Sequence, residues 1–69
     1  MTDSKLLRKR IKSCGFKYLF VAEQLGISGQ CLYNKIDNRS EFKAPEIKTL
    51  TSLLNLSSDE REKIFFANL

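Results

Sequence analysis

A chain of 69 residues, 42% hydrophobic with one proline and three glycines, has room for one small helical domain and too much apolar material for disorder. No apolar run approaches the roughly 18 residues of a transmembrane helix and no signal-type stretch opens the chain, which predicts a soluble, cytoplasmic protein without membrane partners. The net charge of +4 is unevenly spread: residues 1–35 carry seven basic side chains against two acidic ones, residues 36–69 five against six.

Ser4 is placed to cap a first helix from Lys5 to about Ser13, stopped at Gly15, with Leu7, Ile11 and Cys14 on one apolar stripe. A second helix is predicted from Tyr18 to Leu25, with Val21, Ala22 and Leu25 sharing a face. Gly26 supplies the left-handed residue that ends it. Ala22 is small where the next helix must cross closely, and Ile27 is expected to plug into the core from the turn. Ser28 caps a third helix, Gly29 to Ile36, with Leu32 and Ile36 facing inward. Residues 18–37 therefore have the spacing of two short helices joined by a tight turn, a helix-turn-helix.

Residues 37–44 form a polar loop anchored by Phe42. Pro45 fits the first position of a fourth helix, Glu46 suits its first turn, and Ile47, Leu50, Leu53 and Leu54 make its stripe. Ser57 with Glu60 matches a capping box for a C-terminal helix over 58–67 that carries Ile64, Phe65 and Phe66, with Leu69 at the end. The expected fold is all-α, five helices in a single domain spanning 1–69.

Chemistry is sparse. There is no histidine, and the two cysteines, Cys14 and Cys31, make neither a disulfide framework nor a metal quartet; both are expected in or near the core. The acids sit at helix starts, where capping explains them, and no glycine-rich phosphate loop is present. No metal, cofactor, small-molecule substrate or enzymatic activity is expected. The basic half of the chain favours a polyanion through counterion release, the plain alternative being a solvated surface.

The chain resembles the small repressor and Cro-like regulators of bacteriophages, in the lambda-repressor-like helix-turn-helix superfamily. The resemblance rests on Ala22, Gly26, Ile27, Ser28, Leu32 and Asn34-Lys35-Ile36, followed by Asn38-Arg39-Ser40-Glu41-Phe42 and Glu46-Ile47. This second stretch is especially similar to phage regulators of Gram-positive bacteria. The resemblance implies a compact lambda-repressor-like domain that binds double-stranded operator DNA through its third helix, 29–36, in a phage lysis–lysogeny switch inside a bacterial host. Lys35 departs from the pattern, since many relatives bury an apolar residue there. Its stem is expected to cover the core while its ammonium reaches a phosphate.

By analogy with the family, Gly29, Gln30, Tyr33 and Asn34 face the bases. The amides of Gln30 and Asn34 suit adenine N6 and N7, Gly29 lets the backbone approach, and Tyr33 suits a thymine methyl or a phosphate. Phosphate contacts are expected from the helix starts around Lys17, Tyr18 and Ser28, and from Lys35, Asn38, Arg39 and Lys43. One recognition helix buries too little surface for tight specific binding, so a homodimer is expected, with Ile64, Phe65, Phe66 and Leu69 as its contact. A second reading keeps the fold but gives it a partner phage repressor, as a modulator or antirepressor. Gly29 and Cys31 suit a packed protein contact, whereas the basic half argues for DNA.

Overall fold

Asp3 is extended, and its carboxylate accepts the Leu6 N–H at 3.1 Å to begin α1 (Ser4–Ser13). Ser4, expected as that cap, lies one residue too late; it is already helical and donates its hydroxyl to the Ile36 carbonyl. The remaining elements are α2 (Tyr18–Leu25), α3 (Gly29–Ile36), α4 (Ala44–Leu53) and α5 (Ser58–Phe65). The computed structural model describes residues 1–67, and among them there is no strand. The fold is an all-α domain of five helices. No described helix is long and apolar enough to cross a membrane.

Local chemistry explains most boundaries. Gly26 has φ 70° and ends α2, while the Ile27 N–H returns to the Ala22 carbonyl at 3.1 Å. Ser28 accepts the Cys31 N–H at 3.1 Å and starts α3. Pro45 sits second in α4, behind Ala44, and Glu46 accepts the Lys43 N–H at 2.8 Å. Ser57 and Glu60 form the expected reciprocal capping box of α5, but the helix ends at Phe65, two residues short of the expected 67.

The core is assembled from one stripe of every helix. Leu7 and Ile11 of α1 meet Val21 and Ala22 of α2, Leu32 and Ile36 of α3, Leu50 of α4, and Ile64 and Phe65 of α5. Leu54, Leu56 and Phe42 close it from the connections, Phe42 lying edge-on to Phe65 at 5.5 Å. α1 packs on α3 and α5, and α2 on α3 and α4. Arg10 donates from Nε and Nη2 to the Leu54 carbonyl at 3.2 and 3.1 Å, meeting the negative end of α4, and its Nη1 lies 3.4 Å from Glu60.

Two expectations about the apolar residues are corrected. Cys31 is exposed on α3, while Cys14 is half-buried; both are free thiols. Ile64 and Phe65 are inside the domain's own core, so neither has surface left for a second subunit. Phe66, the residue after α5, is the one left 55% exposed. The helical turn decides this, because three consecutive side chains span about 200° of a helix and a small core can take only part of that arc. Leu69 lies outside the described residues.

The first residues of the chain are joined to the last turn of α5 and the segment that follows it. The Asp3 N–H donates to the Ile64 carbonyl at 2.7 Å, and the Ala67 N–H donates to the Met1 carbonyl at 3.0 Å.

Candidate nucleic-acid interface

The buried stripe of α3 fixes which side chains face out. Leu32 and Ile36 point inward, so Gln30, Tyr33 and Asn34 share the opposite side at i, i+3 and i+4. Gln30 is exposed, and its Nε2 donates to Asn34 Oδ1 at 3.1 Å. That bond holds the two amides side by side and leaves Gln30 Oε1 as a free acceptor and Asn34 Nδ2 as a free donor. Tyr33 is partly exposed, with its ring edge-on to Tyr18 of α2 at 5.3 Å. The aromatic pair braces the open side of the two-helix unit.

Gly29 is placed differently from expectation. A Cβ built on it would lie 3.1 Å from Leu19 Cδ2, so the space above this residue is taken by a leucine of α2 rather than left open.

The cations divide into two groups. Arg8 pairs with Asp37, Arg10 is tied to α4 and Glu60, and Lys35 is bound to Glu46. Lys17, at the start of α2, and Arg39 and Lys43, in the loop after α3, make no ion pair among the described residues, and neither do Lys5, Lys9, Lys12, Lys48 and Lys63. Lys17, Ser28 and Lys43 are the N-caps of α2, α3 and α4, and Arg39 lies in the loop between α3 and α4.

Lys35 leaves the set of expected phosphate contacts. Its side chain is only 10% exposed, and Nζ donates to both oxygens of Glu46, at 2.5 and 2.7 Å. An ammonium desolvated this far and held by two carboxylate oxygens is not available to a phosphate. The pair clamps the last turn of α3 to the first turn of α4. Burial raises the Glu46 pKa, but the hydrogen bonds from Lys35 and the Lys43 N–H, with both charges, outweigh it and hold the carboxyl below its ordinary 4.5.

Asn38 leaves it too. Its backbone is left-handed at φ 65°, and its side chain accepts the Thr2 N–H at 2.8 Å and donates to the Thr2 carbonyl at 2.9 Å. Thr2 is consequently buried although its side chain is polar. Asn38→Gly keeps the backbone conformation accessible and deletes both bonds, and it is expected to lower stability by about 1–2 kcal/mol. Urea denaturation checks this; an unchanged midpoint would show that the tie contributes nothing.

The fold defines the protein as an all-α domain of five helices, in which a glycine turn joins the second helix to the third and an amide pair lies on the third. The chain belongs to the family described as Protein of unknown function (DUF739), which matches residues 2–68. No curated protein and no solved structure matches it.

Proposed function

We propose that this protein is a sequence-specific DNA-binding transcriptional regulator of the Cro and repressor type, acting in a phage lysis–lysogeny switch. In this reading α3 enters the major groove of operator DNA, with Gln30 and Asn34 on base edges and Tyr33 beside them. Lys17, Tyr18, Ser28, Arg39 and Lys43 then position the domain on phosphates. The observation that supports the reading is the pairing of the Gln30 and Asn34 amides, Gln30 exposed and Asn34 partly so, on the helix that follows a glycine turn.

The proposed form on DNA is a homodimer on a palindromic site, with the exposed Phe66 at the two-fold contact. Enrichment from a random duplex pool, followed by titration at rising salt, tests both claims. The expected result is one enriched sequence with two-fold symmetry and an affinity that falls steeply with salt, as release of several counterions requires. A pool that enriches nothing, with a protein that instead co-elutes with a phage repressor, would replace this reading by the modulator one. Equal affinity for a single half-site and the full palindrome would remove the dimer.

A further inference from the structure

The three glycines have different reasons to be there. Gly15 and Gly26 lie at φ 76° and φ 70°, with open space where a Cβ would go. Their backbone explains them. Gly29 is the first residue of α3 and has no left-handed backbone to call for a glycine. What distinguishes Gly29 is its neighbour: Leu19 Cδ2 lies 3.1 Å from the missing Cβ.

Leu19 is in turn 69% exposed, the most exposed large apolar side chain among the described residues. A single exposed leucine is ordinary on a protein surface. This one is placed on the first residue of α3, next to Gln30, at the end of that helix that would enter a groove. Gly29 therefore gives up its own side chain and the leucine of α2 fills the space. The leading end of α3 thus carries a branched apolar group over the residue before Gln30, with Lys17, which makes no ion pair among the described residues, two residues before the leucine.

The major-groove edge of a base pair offers a single apolar group, the C5-methyl of thymine. We propose that Leu19 is a specificity-determining residue that reads a thymine methyl next to the base pair met by Gln30. The inference rests on the operator-binding reading above and extends recognition from α3 onto α2.

Uracil substitution tests it, because deoxyuridine differs from thymidine only by that methyl. In the enriched duplex, each thymine is replaced singly and symmetrically in both half-sites, and affinity is measured for the natural protein and for Leu19→Ala. One position per half-site is expected to lose about four- to tenfold in affinity per half-site with the natural protein. The same change is expected to be silent with Leu19→Ala, whose thermal midpoint should stay close to the natural one because the side chain is exposed. An enriched half-site without thymine overturns the inference, as does silence at every uracil or a loss of equal size in Leu19→Ala. In each of these cases the operator-binding reading stands. A pool that enriches no sequence overturns both together.

Discussion

Glu46→Ala is expected to destabilise the domain by about 3 kcal/mol, because it leaves the Lys35 ammonium buried without a counter-charge. In a domain of this size, each kcal/mol moves the thermal midpoint by roughly 4–8 °C, so the variant should melt roughly 12–24 °C lower. Lys35→Met tests the other partner. It leaves the Glu46 carboxylate, whose side chain is only 12% exposed, without its counter-charge, and is expected to cost a comparable amount, about 3 kcal/mol. Replacing both residues by apolar ones, Lys35→Met with Glu46→Leu, removes both charges and is expected to cost less than either single change. A double variant that loses the sum of the two single losses would show that uncompensated charge is not what sets the cost.

The same pair has a pH signature. The folded-state pKa of Glu46 lies below its ordinary 4.5. Its contribution is thus complete above that ordinary value and is lost as pH falls through the depressed folded one. Glu60, held down first by the Ser57 N–H and also by the Arg10 charge, titrates in the same direction. Glu46→Gln should therefore flatten the acid limb of a stability–pH curve without removing it. A limb of unchanged steepness would show that Glu46 is not among the groups that drive it.

Replacing Gln30 and Asn34 together by alanine is expected to lower affinity for the enriched duplex on the order of 100-fold. Affinity for unrelated duplexes, carried by Lys17, Arg39 and Lys43, should remain and keep its salt dependence. Because the two amides share a hydrogen bond, either single substitution should cost more than half of the double one. Affinity falling equally on all sequences would make the pair a packing feature and not a reader of bases.

Helix boundaries were mostly legible where a local motif dictates them, the exception being α1, where two adjacent residues could cap and Asp3 does so instead of Ser4. The Gly26 stop, the Ser28 cap and the Ser57–Glu60 box depend on residues at most three positions apart, and each stands where the pattern put it. Two of the misplaced site residues depend on distant partners. Lys35 meets a carboxylate eleven residues on, and Asn38 meets a backbone thirty-six residues back, so no helical period shows either partner. One signal was available for Lys35: it lies three residues after a core leucine, on a face that has to be buried, and an acid opens the next helix. Leu19 had no such signal, since it lies outside the Val21, Ala22 and Leu25 face and its neighbour is a glycine of another helix.

The hydrogen bonds joining the first residues of the chain to α5 and the segment after it bear on the order of assembly. Bringing Asp3 to Ile64 closes a loop of about 60 residues at an entropic cost of roughly 3.6 kcal/mol, whereas the α2–α3 pair closes over a single short turn. The two-helix unit can therefore organise early, and the seam between α1 and α5 zips late. Damage to the seam would then show as faster unfolding, with refolding hardly changed. The part of the chain that would read DNA is the part that needs the least of the chain to take shape.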